Sequence, residues 1–261
     1  MRVALCISGQ MRTYRSCFDS VQRHILEPLQ PDVFVHTWRK SGMSHKEQGG
    51  TAVDEVLTEQ GLMAFYSAKS VCLEDFDPAF SHEYRGVKVP EILKQAEPQH
   101  FKGAIPCFYK MHACNELRRE FEQAHGFEYD LVIKLRPDLS IGRAIDPACI
   151  ADALDHEVLY FERDLLNEGL QVSDKLAFAN GSLMDRYASV WTHLNEYWQQ
   201  PLGDGRSDSH RVGERLMKHH VNVCGIRCKG VRLKLDIERV NPTPAGLRGL
   251  PGLGWLSALR R

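Results

Sequence analysis

Apolar runs alternate with amphipathic stretches along the chain, which is the pattern of an α/β protein. Residues 2–8 are largely apolar, and residues 32–38 form a second apolar run of similar length. Between them, residues 15–27 carry apolar side chains at helical spacing, and Pro28 and Pro31 end the helix. This order of strand, helix and strand predicts a βαβ unit.

Elements of both kinds are predicted along the rest of the chain. Helices are expected at residues 52–64, 146–154, 181–198 and 208–220, and another helix of about 19 residues is expected to begin at Pro106. Strands are expected at residues 70–74, 127–135, 157–161 and 175–179, with a pair of strands within residues 221–238. Residues 39–50 are expected to form a surface loop or lid, and residues 75–100 show no regular pattern and would be able to cover a site. Because neither a repeat nor a linker divides the chain, we predict one domain over residues 1–240 and a Pro/Gly-rich tail over residues 241–261.

The most informative polar sequence follows the strand predicted at residues 127–135. The apolar run leads directly into Arg136, Pro137 and Asp138. Pro137 has no amide hydrogen and restricts Arg136 to extended conformations, so a loop begins here. Loops at the carboxyl ends of parallel strands form the ligand sites of open α/β sheets. Arg136 is able to bind a phosphate or carboxylate, and Asp138 a metal or a sugar hydroxyl; the alternative is a structural ion pair.

The turn after the first predicted strand is a second candidate binding element. Ser8, Gly9 and Gln10 follow the apolar run, and Arg12 comes two residues later. Glycine lets backbone amides approach a ligand closely, and a helix start attracts anions. A nucleotide would fit there, although Ser-Gly turns after strands are common. Because both loops follow buried parallel strands, we expect Gly9 and Asp138 to face the same cleft.

The composition indicates a globular protein without a strong charge bias. The chain has 261 residues, 43% of them hydrophobic, and 33 Lys and Arg residues against 34 Asp and Glu residues give a formal net charge of -1. This balance argues against nucleic acid as a partner. Residues 1–8 are too short for a signal peptide, and no apolar stretch is long enough to span a membrane. We therefore predict a cytoplasmic protein.

The eight cysteines are too dispersed for the disulfide framework of a small secreted domain, so we expect free thiols. His219, His220, Cys224 and Cys228 are of the types that bind zinc. We favour a structural role for them, because alternation over residues 221–228 would place both thiols on one face of a strand.

Four short motifs in a fixed order resemble those of a glycosyltransferase family. They lie at residues 7–12, 32–38, 129–138 and 173–178. Together they are similar to glycosyltransferases of lipopolysaccharide and capsule assembly, including the WavE-like proteins. The likeness runs from residue 2 to about residue 225. It implies a GT-A-like, Rossmann-related fold, which is a mixed, mostly parallel sheet flanked by helices.

The resemblance also implies how the site would be built. The residues expected to hold the nucleotide are Ser8, Gly9, Gln10 and Arg12, with Asp32, His36 and Trp38 nearby. Residues 136–138 take the position of the Asp-X-Asp metal motif of GT-A enzymes, but Arg136 replaces its first aspartate. A divalent metal, Mn or Mg, would then depend on Asp138, and Arg136 would neutralise the leaving phosphate in the absence of a metal.

Inverting glycosyl transfer requires a base that deprotonates the acceptor hydroxyl. Asp174, at the start of a predicted strand facing the cleft, is the first candidate for this base. Glu168 and Glu214 are lesser candidates. The alternative role of Asp174 is to cap the local backbone. Tyr109 and Lys110, on the preceding helix, would either reach the donor or be solvated. We predict a glycosyltransferase that moves a sugar from a nucleotide-sugar donor to a glycan or lipid-linked acceptor in cell-surface polysaccharide synthesis.

Two other functions remain open. A sugar-phosphate nucleotidyltransferase is disfavoured, because the first turn lacks a Gly-X-Gly-X-X-Gly or Walker-type sequence. A non-catalytic protein that binds nucleotide-sugars or glycans stays open, because the Asp-X-Asp motif is incomplete. The end of the tail, residues 250–261, contains apolar side chains followed by Arg260 and Arg261. Such a segment would bind the inner face of the membrane only weakly, so we favour a tail without a membrane role.

Overall fold

The computed structural model describes residues 1–42, 55–76, 83–84, 87–88, 101–163, 172–199 and 213–238. Its strands are β1 (Val3–Gly9), β2 (Asp32–Trp38), β3 (Ser70–Glu74), β4 (Glu83–Tyr84), β5 (Val87–Lys88), β6 (Leu131–Leu135), β7 (Leu139–Ile141), β8 (Leu159–Glu162), β9 (Leu176–Ala179), β10 (Cys228–Val231) and β11 (Leu235–Ile237). Its helices are α1 (Tyr14–Val21), α2 (Glu27–Leu29), α3 (Glu59–Tyr66), α4 (Phe101–His125), α5 (Pro147–Asp155), α6 (Gly181–Ala188), α7 (Leu194–Gln199) and α8 (Gly213–Val223). A π-helical turn, Gln22–Leu26, joins α1 to α2, and a 3-10 turn, Ser189–His193, joins α6 to α7.

Seven of the described strands form one sheet in the order β10-β8-β9-β6-β1-β2-β3. β1 is parallel to both β2 and β6, β2 is parallel to β3, and β8 is parallel to β10. β9 runs antiparallel to its neighbours β6 and β8. The predicted mixed, mostly parallel sheet flanked by helices is confirmed.

The register brings four chain segments to one edge of the sheet. Gly9 of β1 lies opposite Thr37 of β2, and Ile7 lies opposite Leu135 of β6. Leu135 in turn lies opposite Leu176, the first residue of the antiparallel strand β9. The carboxyl ends of β1, β2 and β6 therefore meet the amino end of β9. We call this side the carboxyl edge and the opposite side the amino edge.

The core has one layer on each face of the sheet, because side chains alternate along the strands. On one face, Ala4 and Cys6 of β1 pack with buried side chains of α4, α6 and α8, among them Phe108. On the other face, Leu5 and Ile7 pack with side chains of α1, α3 and α5. Charged side chains on the α4 face of β1, β2 or β6 are therefore held beneath a helix.

Two predicted elements near the carboxyl edge have different bounds in the structure. α4 begins at Phe101, so Pro106 lies inside the helix and does not open it. Pro106 has no amide hydrogen, so the helix lacks one backbone hydrogen bond at this position. The helix predicted at 52–64 begins at Glu59, where the Thr58 side chain accepts a hydrogen bond from the Gly61 amide.

Two strands lie within residues 221–238, as predicted, but they do not pair with each other, and the chain is still helical at residue 221. α8 continues through Val223, because Met217, His220 and Val221 are buried at helical spacing, and Gly225 ends it with a φ of 62°. β10 then pairs with β8, and β11 pairs with β7. Apolar residues at positions that fit both a helical and an alternating period misled the prediction.

The tail at 241–261 and most of residues 75–100 lie outside the described residues. Within the described part of the chain, no helix combines the length and apolar character needed to cross a bilayer.

Candidate functional site

The first turn and the loop after β6 lie side by side at the carboxyl edge. Gly9 has a φ of 123°, and a Cβ built on it would lie 3.7 Å from Cδ of Pro137. Residues that carry a Cβ rarely adopt this backbone conformation, so glycine is favoured at position 9. Thr37 Oγ1 donates a 2.6 Å hydrogen bond to the Gly9 carbonyl and holds the turn against β2. Gly9 and residues 136–138 thus lie next to each other at the carboxyl edge, as the topology predicted.

Two arginines share the carboxylate of Asp138. Arg136 donates from Nε to Oδ1 at 3.1 Å and from a terminal nitrogen to Oδ2 at 2.9 Å. A terminal nitrogen of Arg12 lies 3.5 Å from the same Oδ2, and Arg12 Nε donates to Gln10 Oε1 at 2.8 Å. The Asp138 side chain is only 2% exposed, whereas 32% of the Arg12 side chain and 21% of the Arg136 side chain are exposed. Asp138 therefore fixes two guanidinium groups at the mouth of the cleft.

Asp174 lies beside Arg136, just before β9. The Arg136 amide donates to the Lys175 carbonyl at 3.0 Å, and an Arg136 terminal nitrogen lies 3.9 Å from Asp174 Oδ1. The Cys107 thiol donates to Asp174 Oδ2 at 3.2 Å. Burial would raise the pKa of Asp174, but the charges of Lys134 and Arg136 outweigh it and hold the pKa below its ordinary value. Asp174 is therefore ionised at neutral pH.

A divalent cation does not suit this arrangement. Both oxygens of Asp138 already accept hydrogen bonds from Arg136, and a cation would meet two guanidinium groups. Mn and Mg need several oxygen ligands in the first coordination sphere. Among the residues that the structure describes, no three His, Cys, Asp or Glu side chains are grouped to hold a metal ion. The geometry thus gives Asp138 the role of an arginine anchor.

His36 and Trp38 of β2 are buried beneath α4 and do not line the cleft. Lys110 of α4, predicted to be solvated or near the donor, is fully buried; its Nζ bonds to Glu74 Oε2 at 2.6 Å, to the Thr37 carbonyl at 3.0 Å and to His36 Nδ1 at 3.2 Å. Nζ also lies 3.6 Å from the centre of the Trp38 ring. Burial lowers the pKa of Lys110 to about 8, with Glu74 opposing it. His36, Trp38 and Lys110 therefore support the turn at Gly9 from the α4 side of the sheet.

The structure does not bring Asp32 to the cleft. Asp32 is the first residue of β2 and pairs with Ala4, so it lies at the amino edge. Its carboxylate accepts a 2.8 Å hydrogen bond from the Tyr129 hydroxyl and lies 3.4 Å from Lys69 Nζ. In a parallel βαβ unit the start of a strand is always on the side away from the carboxyl-edge loops. The expectation that Asp32 lies near the nucleotide is therefore corrected.

Comparisons with known proteins add little to this geometry. No family model matches the chain, and no curated protein matches it. Among solved structures, a glycosyltransferase involved in the glycosylation of the major capsid of PBCV-1 is 9% identical and covers 89% of this chain and 83% of its own, with a TM-score of 0.41. A candidate nucleotide-diphospho-sugar transferase from Desulfovibrio desulfuricans G20 is also 9% identical, covers 89% of this chain and 80% of its own, and has a TM-score of 0.38. At such TM-scores the likeness carries no argument, so the site is interpreted from its own residues.

Two residues of the site were missed from the sequence. Lys134 is buried within β6, and its charge acts on Asp174. A lysine at an inward position of an apolar strand was a signal that could have identified it, since such residues are rarely buried without a reason. Cys107 gave no such signal, because a cysteine in a helix resembles a small apolar residue. Of the lesser candidates, Glu214 accepts a hydrogen bond from the Val172 amide through its backbone carbonyl, and Glu168 lies outside the described residues.

The histidine and cysteine group near α8 is structural. His220 Nδ1 is 2.7 Å from the Tyr197 hydroxyl, and Nε2 is 2.7 Å from the Arg186 carbonyl, so both ring nitrogens are engaged. Burial lowers the pKa of His220 to about 4. Cys224 and Cys228, like the other six cysteines, are free thiols.

Proposed function

We propose that this protein transfers a sugar from a nucleotide-sugar donor to a hydroxyl group of an acceptor at the carboxyl edge. One observation carries the proposal: a glycine turn, two anchored guanidinium groups and an ionised carboxylate converge in one cleft. The turn suits the approach of a nucleotide, the guanidinium groups suit a diphosphate, and the carboxylate suits a reacting hydroxyl.

Arg12 and Arg136 would bind the diphosphate and stabilise it as it leaves. Asp138 holds both groups in place, so they need not reorganise when negative charge develops on the departing phosphate. Arginine suits this task because its planar group binds phosphate oxygens through two parallel hydrogen bonds. We infer from the same geometry that the donor binds without a divalent metal.

Asp174 would accept the proton of the acceptor hydroxyl. In a direct displacement, the hydroxyl oxygen forms the new bond to the anomeric carbon, the bond from that carbon to the phosphate oxygen breaks, and the proton passes to Asp174. Arg136 lies close to Asp174 and lowers its pKa, which makes it a weak base. A bound diphosphate would compensate the charge of Arg136, so the basicity of Asp174 would rise when the donor is present.

The class of acceptor follows from the motif resemblance alone. The motifs at residues 7–12, 32–38, 129–138 and 173–178 resemble those of lipopolysaccharide and capsule glycosyltransferases. We therefore propose a glycan or lipid-linked saccharide of the cell surface as the acceptor.

A donor-hydrolysis assay with a panel of nucleotide-sugars tests the function, run once with manganese and once with EDTA. We expect release of one nucleoside diphosphate at similar rates under both conditions. Release that requires manganese would overturn the metal-free mode and leave the transferase in place. Tight donor binding without hydrolysis or transfer would indicate a binding protein. Formation of a nucleotide-sugar and pyrophosphate from a sugar phosphate and a nucleoside triphosphate would indicate a nucleotidyltransferase.

A further inference from the structure

Lys134 is a buried cation that the mechanism above leaves unused. It is 1% exposed, and its Nζ has no hydrogen-bond partner among the residues that the structure describes. Burial lowers the pKa of Lys134, and the charges of Asp174 and Asp138 oppose this shift without accepting a hydrogen bond from Nζ. An ammonium group with three unmet donors is among the least favourable groups that a protein interior can hold. Buried polar atoms without partners are rare in folded proteins, and they call for an explanation such as a ligand.

A second unpartnered polar atom lies on the same face of the neighbouring strand. Ser8 is 1% exposed, and within the described ranges its Oγ has no hydrogen-bond partner. Lys134 lies opposite Cys6 of β1, and Ser8 follows two residues later on the same face. Ser8 and Arg136 are therefore the next positions toward the carboxyl edge on this face. The flexible four-carbon stem of lysine allows Nζ to advance in that direction.

The charges around these two atoms leave room for an anion. Arg12, Arg136 and Lys134 contribute three positive charges, and Asp138 and Asp174 contribute two negative charges. Asp138 is occupied by the two arginines, and Asp174 is held by Cys107. These five groups therefore carry one more positive than negative charge, and Lys134 is the cation among them with no hydrogen-bond acceptor in the described part of the chain.

We propose that Lys134 and Ser8 form the inner part of an anion subsite that binds a phosphate group of the donor's diphosphate, with Arg136 at its outer side. The subsite rests on the proposed function and supplies a third cation for the leaving group. It explains why an apolar strand carries a lysine at an inward position, since the cost of burying the charge is offset when a diphosphate binds. The ligand class is a diphosphate, recognised through its charge and its oxygens, and the sugar plays no part in it.

The test compares Lys134→Met with the wild type by calorimetry and thermal unfolding, in EDTA. Inorganic pyrophosphate and a panel of nucleoside diphosphates serve as probes. We expect Lys134→Met to weaken their binding by about tenfold or more, because hydrogen bonds to a charged group are lost. We also expect its melting temperature to be equal or higher, because an unpaired buried charge is replaced by an apolar side chain of similar shape. Ser8→Ala should weaken binding by about threefold, in keeping with one neutral hydrogen bond.

Lys69→Met is the matched control, since it makes the same change at a half-exposed lysine of the amino edge. It should leave the affinity for pyrophosphate unchanged. Unchanged affinity in Lys134→Met, a wild type that binds no pyrophosphate, or a Lys134→Met protein that is less stable than the wild type would each overturn the subsite. If the wild type turns over a nucleotide-sugar while Lys134→Met keeps its pyrophosphate affinity, the subsite fails and the transferase stands. Lys134-dependent pyrophosphate binding without turnover of any donor would retain the subsite and remove the transferase.

Discussion

Both edges of the central sheet hold buried charged side chains, but the two edges arrange them differently. At the amino edge, Arg118 is 1% exposed, yet its terminal nitrogens donate to Glu122, Asn115 and Asp185. Glu122 also accepts a 2.7 Å hydrogen bond from the Tyr129 amide. At the carboxyl edge, Lys134 is equally buried and has no hydrogen-bond partner.

This difference shows that an open cleft indicates a binding site less strongly than a buried charge without a hydrogen-bond partner does. The amino edge contains an open cleft of about 890 Å³, lined by Arg118, Glu122 and Asp185. Apart from Arg118 Nε, the charged atoms of these groups are paired with one another, so a ligand there would have to break existing ion pairs before it formed its own. The carboxyl edge offers donors that already lack acceptors. Variants at the two edges should therefore affect different properties.

The largest expected effect is on turnover at the carboxyl edge. Asp174→Asn should lower kcat by about a thousandfold and leave the KM for the donor nearly unchanged, because general base catalysis is lost while the arginines remain. Initial rates at several donor concentrations measure both constants. Asp130→Asn, the same change at an exposed amino-edge residue, should keep wild-type kcat. Near-normal turnover of Asp174→Asn would falsify the assignment of Asp174 as the base.

The next effect is on stability at the amino edge. Glu122→Ala leaves the buried Arg118 with fewer acceptors, so the free energy of unfolding should fall by about 3 kcal/mol. Urea unfolding measures the change, and Glu128→Ala, at an exposed position of the same edge, is the control. Turnover of the folded variant should stay at the wild-type level. A loss of turnover without a loss of stability would place the function at the amino edge.

Removing a guanidinium group or its anchor at the carboxyl edge should act on the reaction. Arg136→Ala and Asp138→Asn should each lower kcat/KM by about a hundredfold, which corresponds to a few kcal/mol of transition-state stabilisation. Arg119→Ala, at an amino-edge arginine paired with Glu116 and Asp185, should change kcat/KM less than about twofold, because its ion pairs are partly exposed. Equal effects of Arg136→Ala and Arg119→Ala would show that the edges do not differ in function.

The smallest expected effect is a pH dependence that only the carboxyl edge should show. Burial lowers the pKa of Lys110 to about 8 from an ordinary 10.5, so above pH 8 the folded protein has released a proton that the unfolded chain still binds. The contribution of Lys110 to stability should therefore rise with pH, by about 1 kcal/mol between pH 8 and 9. Subtracting the urea-unfolding profile of Lys110→Met isolates this rise. A difference between the two proteins that is constant with pH would contradict it, and Lys69→Met controls for the loss of a lysine.

Several features of the site were predictable from local patterns. The apolar runs of β1, β2 and β6 indicated buried parallel strands, and parallel strands place their carboxyl ends on one side of a sheet. That rule was sufficient to bring Gly9 together with Asp138. Applied consistently, it would also have placed Asp32 at the amino edge, since Asp32 begins its strand. The error lay in carrying over a whole motif without asking at which end of the strand each residue stands.

By itself, the sequence determined the order of the elements, the inward faces of the strands and the meeting of their carboxyl ends, because these depend on local periodicity and chain direction. Only the tertiary structure decided the electrostatics of the cleft. Lys110 pairs with Glu74 and Cys107 donates to Asp174 because helix α4 packs over the sheet in one particular register, and Lys134 Nζ is left without a hydrogen-bond partner in the described part of the chain. Such pairings join side chains that are far apart in the chain. Local periodicity contains no information about their distances, which arise when the whole core packs.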